Sequence, residues 1–226
     1  MASLDFRLFL QAVFKFLAGL VIVGAMLFAS AGTFRYFQGW LLICILFIPM
    51  FCAGIVMMIK NPGLLRKRLD AKEEEKEQKA VVLFSALMFT AAFIAAGLCR
   101  RFDFALLPLW ASYAASAVFL LAYVLYAEVL RENTYLSRTV EVQEEQKVID
   151  TGLYGIVRHP MYMSTILLFL AMPIVLGSPI SFAVMLFYIP LIAKRIRNEE
   201  KVLEENLKGY SEYKKRVRYK VIPLIW

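Results

Sequence analysis

The sequence has 226 residues, 61% of them hydrophobic and only 19% charged, with a mean hydropathy of +0.64. Soluble chains are about 45–50% apolar, so a single water-soluble core of this length is excluded and a bilayer is the expected solvent for the excess. The net charge of +8 does not point to nucleic acid, because the basic residues lie between long apolar runs and not in one patch. They read as membrane-flanking charge, which sets orientation and attracts anionic headgroups.

The first apolar run, Leu8–Ala31, ends in Ala29-Ser30-Ala31, which has the look of a leader cleavage site. Asp5 before it, Lys15 within it and its length argue instead for a transmembrane helix. Three further runs, Gly39–Ile59, Ala80–Cys99 and Phe104–Leu130, approach or exceed the ~20 residues that span a bilayer. Between the second and third, Asn61-Pro62-Gly63 is expected to stop a helix, and the mixed-charge run that follows reads as a solvated helix outside the membrane. Cys44, Cys52 and Cys99 all fall in apolar runs, and the chain has one histidine. No metal centre is therefore expected.

The fifth apolar region, Met161–Ala193, is shorter than two full crossings and carries Gly177-Ser178-Pro179 in its middle. It is expected to form a helical hairpin with arms Met161–Leu176 and Ile180–Ala193. The fold class is thus all-α and polytopic: four transmembrane helices over 1–130 with a charged loop at 60–79, then a region 131–226 with the hairpin 161–193 and a cytosolic amphipathic helix. Segments 60–79, 131–160 and 194–226 carry 21 of the 26 Lys and Arg residues. Positive-inside bias places all three on the cytoplasmic face.

Two patterns carry the chemistry. Thr151–Tyr162 reads TGLYGIVRHPMY, with Pro160 suited to open a helix and His159 to cap it. Such a helix start exposes N–H donors for an anion, with Arg158 and His159 beside them. Equally, His159 could act only as a cap while Arg158 snorkels to headgroups. The second pattern, KRIRNEEKVLEENLKGYSEY over Lys194–Tyr213, puts Arg195 and Glu199 on one helical face and Arg197 and Glu200 on neighbouring ones. An interfacial helix with surface ion pairs would read the same way.

Taken together, the stretch EVQEEQKVIDTGLY, the RHP-x-Y element at Arg158–Tyr162, the hairpin, Glu-Glu-x-x-Leu at Glu199–Leu203 and Tyr-x-x-Tyr at Tyr210–Tyr213 resemble the isoprenylcysteine carboxyl methyltransferases and related phospholipid methyltransferases. The resemblance runs from about Gln143 to Trp226. It implies an S-adenosyl-L-methionine site lined by Gln143, Gln146, Lys147, Val148, Ile149, Tyr154, His159, Pro160, Met161 and Tyr162, completed by Glu199. It also implies that Arg195, one turn earlier, faces the substrate in a catalytic role. Glu200 and Arg197 stand as alternatives in these two roles. The implied partners are membrane lipids and a lipophilic or prenylated acceptor, with the cofactor site on the cytoplasmic side of a multi-pass protein. Carboxyl O-methylation suits the inventory, because a carboxylate nucleophile is already ionised and needs no general base. The rival enzyme reading is an NADPH-dependent lipid or sterol reductase, which shares an HP-x-Y element and an Ile-Pro near the C-terminus, as in Val221–Trp226. A transporter or scaffold finds less support, since ionisable residues such as Lys15 and Glu128 lie only near the ends of the long spans.

Overall fold

The structure, a computed structural model, describes residues 6–69, 76–133, 135–136, 142 and 145–226. Helices α1 (Phe6–Ala31), α2 (Phe37–Lys60), α4 (Lys76–Arg101) and α5 (Leu109–Glu132) are the long apolar elements, and α3 (Pro62–Leu69) is a short helix between them. After a 3-10 turn at Gly152–Gly155 come α6 (Pro160–Val175), α7 (Pro179–Met185), α8 (Tyr188–Asn206) and α9 (Tyr210–Arg216). Five stretches are long and apolar enough to cross a membrane: Phe6–Ala31, Phe37–Lys60, Lys79–Arg101, Leu109–Glu132 and Pro179–Asn206. The chain is a multi-pass, all-helical membrane protein, with no strand among the described residues.

Small residues set the closest helix contacts, as expected where lipid removes the hydrophobic drive between helices. Ser112, Ala115, Ser116 and Ala122 are buried on α5, the helix along which α6 packs most extensively. On α4, a Cβ on Gly97 would fall within 1.8 Å of Ser30 Oγ and 2.8 Å of the Leu27 carbonyl of α1. Only glycine allows that approach.

Several local expectations are corrected. Asn61-Pro62-Gly63 ends α2 but does not leave a loop, because Pro62 opens α3 and Asn61 Oδ1 accepts from Leu64 N at 3.0 Å. The charged run therefore begins inside α3 and ends inside α4, with its centre outside the described residues. Phe104–Pro108 is not helical, and α5 starts only at Leu109. Lys15 donates to the Leu69 carbonyl, placing a cation at the C-terminus of α3 where the helix dipole favours it.

The hairpin region departs most from expectation. The chain turns at Gly177, which takes φ +73°, and Ser178 caps α7 by accepting from Ser181 N at 3.1 Å. The second arm then breaks at Leu186-Phe187 and restarts as α8, which runs unbroken to Asn206. No separate amphipathic helix starts at Lys194. Pro190 accounts for the break, because its ring would clash with the carbonyl four residues earlier, at Leu186, whereas the first turn of a new helix tolerates it. Gly209, at φ +87°, then folds α9 back over α8.

The charge distribution predicts one face for residues 60–79, 131–160 and the C-terminal segment. Single cysteines at Lys79, Lys147 and Ser211, in a chain lacking its three native cysteines, should all react with an impermeant thiol reagent from the cytoplasmic side. Labelling of any two from opposite sides overturns this topology.

Candidate functional site

The site is built on α8, whose periodicity divides its polar residues between two faces. Tyr188, Ile192, Ile196 and Glu200 recur every four residues and are all buried. Arg195, Glu199, Val202 and Leu203 lie on the adjacent face and line a partly enclosed cavity. Its other walls come from the start of α6, the segment 146–149, the 3-10 turn and α9.

Tyr162 joins the two sides. Its hydroxyl donates to Glu199 Oε2 at 2.5 Å and accepts from Arg195 Nε at 3.0 Å. Arg195 and Glu199 are thus organised through one tyrosine on the facing helix, not as an isolated surface pair. One turn deeper, Tyr188 donates to Thr165 Oγ1 at 3.0 Å and ties α8 to α6, which holds the rotation that presents Arg195 and Glu199 to the cavity.

Glu200 points the other way, and its surroundings form a buried ionic cluster. With 4% of its surface exposed, its Oε1 accepts from Arg158 Nε at 2.8 Å and lies 3.2 Å from His159 Nε2. Its Oε2 lies 3.2 Å from Lys220 Nζ. An ionised carboxylate only accepts, so the His159 contact requires the proton on Nε2. Arg158 also donates through Nη1 to the carbonyls of Val217 and Arg218, at 2.7 and 2.8 Å. The backbone repeats the link: Arg158 N and His159 N donate to the Tyr219 and Lys220 carbonyls at 2.9 and 2.8 Å. The cluster fastens the segment after α9 to the start of α6.

This geometry sorts the sequence-derived residues. Gln146, Lys147, Val148 and Ile149 line the cavity in irregular backbone. Tyr154, His159, Met161, Tyr162, Arg195 and Glu199 line it too. Pro160 is buried in the first turn of α6 outside the lining, and Gln143 lies outside the described residues. Glu200 and Arg197 are not in the lining: the first is held in the ionic cluster and the second is exposed. His159 occupies the N-cap position of α6 without a side-chain cap bond, because its ring is turned to Glu200. Arg158, expected either at an anion or at headgroups, is 6% exposed and committed to Glu200 and the tail carbonyls.

Sequence reasoning missed the apolar and tyrosine wall. Leu203, Leu207, Tyr210, Tyr213 and Val217 pack with Val148 beneath the cavity. Tyr213 donates to the Tyr154 carbonyl at 2.8 Å, and Tyr154 Oη accepts from Asn133 Nδ2 at 3.0 Å. Burial pushes the hydroxyls of Tyr154, Tyr210 and Tyr213 well above the ordinary tyrosine range, so all three stay protonated. The Tyr210 hydroxyl is buried with no hydrogen-bond partner among the described residues. The Tyr-x-x-Tyr spacing was the available signal, but it could not show which ring would face a cavity.

The segment from α5 to α8 carries most of these walls, and it can be compared with known families. Residues 113–205 match the isoprenylcysteine carboxyl methyltransferase (ICMT) family. That stretch contains Tyr154, the RHP-x-Y element, Arg195 and both glutamates, and it ends before α9. A curated relative, the Delta(14)-sterol reductase of Mus musculus, is 29% identical over 91 residues, covering 39% of this chain and 22% of that protein. The chain thus spans about a fifth of the length of that relative.

Proposed function

We propose that this chain is an integral-membrane S-adenosylmethionine-dependent methyltransferase acting on the carboxylate of a prenylcysteine-like or other lipophilic acceptor, with its cofactor site on the cytoplasmic side. The observation that carries this reading is the Arg195–Tyr162–Glu199 arrangement on one wall of the cavity. It sets a cation and an anion side by side at the point where α6 and α8 enter the apolar core. The ICMT-family match over 113–205 supports it.

The donor set suits the cofactor. Glu199 supplies an acceptor for an ammonium, Gln146–Ile149 supply backbone groups, and the Val148, Leu203 and Leu207 side supplies an apolar surface for a flat base. Tyr210 lines the same cavity. When bound, the cofactor would supply an electrophilic methyl group on a sulfonium. The protein's part is binding and alignment. Glu199, held by the short Tyr162 bond, keeps a fixed negative charge at the cavity wall. Arg195, held by the same tyrosine, keeps a positive charge where an acceptor carboxylate leaves water. Its planar guanidinium pairs with a carboxylate in a directed way that a lysine cannot match. No residue here has to remove a proton from a carboxylate acceptor. Positioning and exclusion of water lower the barrier, as for any displacement between pre-aligned groups.

The sterol-reductase relative favours a second reading, in which an NADPH-dependent reductase uses the same cavity. Purified protein should bind S-adenosylhomocysteine and transfer a labelled methyl group to a farnesylated cysteine derivative, without oxidising NADPH. Replacement of Glu199 or of His159 by Ala should weaken S-adenosylhomocysteine binding by about 1–3 kcal/mol, the cost of removing one partner of a charged or buried polar group. NADPH oxidation without methyl transfer would replace the methyltransferase reading with the reductase one.

A further inference from the structure

Val221–Trp226 takes no part in lining the cavity, yet the segment is firmly held. Just before it, the Tyr219 and Lys220 carbonyls accept from Arg158 N and His159 N, which ties it to the start of α6. Within it, Val221 N and Ile222 N both donate to the Trp226 main-chain oxygen, at 2.8 and 2.9 Å, and close a turn. Val221 is fully buried, and Trp226 packs against the core shared by the long helices. What the turn presents outward is apolar: Ile222, Leu224 and Ile225 are 40%, 82% and 79% exposed. Leu224 holds φ +66°, a backbone region that residues other than glycine seldom occupy. Three aliphatic side chains displayed together on a fixed turn would be a liability in water.

The surroundings of the turn supply an alternative to water. Pro160 opens α6, the first arm of the apolar hairpin, so the turn sits at the level where the chain enters the bilayer. The long helices also expose aliphatic side chains, as Val21 does at 66%. Five of the seven residues Lys214–Lys220 are basic. Three of them are committed: Lys214 to Glu204, Arg216 to Asp150 and Lys220 to Glu200. Lys215 and Arg218 are exposed and make no ion pair among the described residues. Exposed cations beside exposed aliphatics, with Tyr219 and Trp226 half-buried among them, match the chemistry of a membrane interface. There, cations meet anionic headgroups, aromatic rings lie at headgroup depth, and aliphatic groups go below.

We propose that the Val221–Trp226 turn docks into the leaflet beside the start of α6, with Ile222, Leu224 and Ile225 among the acyl chains and Lys215 and Arg218 at anionic phospholipid headgroups. Lys220 on Glu200 and the backbone bonds from Arg158 and His159 couple the turn to α6. Docking thereby steadies the start of α6, and with it the cavity, against the membrane surface. The inference stands on the turn itself and holds for a methyltransferase and a reductase alike.

The test uses the full chain, without its three native cysteines, in nanodiscs of phosphatidylcholine alone or mixed with phosphatidylglycerol. A nitroxide is attached after Leu224→Cys or Ile225→Cys, made singly; both side chains are exposed, so neither change disturbs the core. Val21→Cys on α1 is the lipid-facing reference, and Ser211→Cys on α9 the water-facing one. Oxygen, which concentrates among acyl chains, and a water-soluble nickel chelate are the two relaxing probes. In the anionic discs the labels on the turn should behave like the one at Val21, open to oxygen and closed to nickel. Adding Lys215→Gln with Arg218→Gln should raise nickel access there, since each basic side chain at an anionic surface is worth roughly fivefold in binding. In phosphatidylcholine alone, the same pair of changes should have no effect. Nickel access equal to that at Ser211 would place the turn in water and overturn the proposal. Exclusion of both probes would also overturn it, because protein, such as a second copy, would then cover the turn. Nickel access that ignores the loss of Lys215 and Arg218 in anionic discs would overturn the headgroup contact.

Discussion

Glu200→Ala should destabilise the protein by about 3–5 kcal/mol, the usual penalty for stripping a buried ion pair of one partner. The loss would leave the Arg158 guanidinium, with a side chain only 4% exposed, without its carboxylate, and would take a partner from both His159 and Lys220. Those groups hold the backbone of Arg158 and His159 to Tyr219 and Lys220, so the effect reaches the start of α6 and the cavity itself. Glu199→Ala is the control on the adjacent residue. Its side chain is 24% exposed and its carboxylate accepts from the neutral Tyr162 hydroxyl, so its stability cost should be no more than about 1–1.5 kcal/mol. Thermal unfolding of both variants in the same detergent decides the matter. Equal transitions for the two would mean that Glu200 does not anchor the tail.

Arg195→Ala should reduce kcat/KM for a farnesylated cysteine acceptor by roughly 10- to 150-fold, corresponding to loss of a charge-assisted hydrogen bond of about 1.5–3 kcal/mol. Affinity for S-adenosylhomocysteine should change less than in Glu199→Ala, because Tyr162 still donates to Glu199 when its Arg195 contact is gone. Arg195→Lys should recover only part of the rate, since an ammonium keeps the charge but not the planar fork. Were Arg195 merely one member of an exposed ion pair, its removal would be worth ~0.3–0.5 kcal/mol and about a twofold change at most. Initial rates over a range of each substrate separate the two cases. Unchanged acceptor kinetics in Arg195→Ala would remove the carboxylate partner from the proposed mechanism and leave the exposed Arg197 as the next residue to replace.

The two variants show where reading the sequence stops and reading the structure begins. Composition and run length determined that the chain is helical and membrane-solvated, because a helix satisfies its own backbone wherever ~20 apolar residues recur. Local stereochemistry placed the start of α6 at Pro160 and the turn at Gly177, where proline and glycine each solve a backbone problem confined to a few residues. Helical periodicity put Arg195 and Glu199 on one face. It could not say which face meets the cavity, so Glu200 stayed an alternative to Glu199. That choice belongs to the rotation of α8, which is held by the burial of Ile192 and Ile196 and by the Tyr188–Thr165 bond to α6. Arg158 shows the same limit: beside Pro160 in sequence it reads as a group for anions or headgroups, yet its partners lie 42 and 59–60 residues away. Tyr210 likewise becomes a cavity wall only once Gly209 folds α9 back. Contacts over such separations come from the chain's return path, which depends on how several helices pack at once and is not a property of any short window of residues.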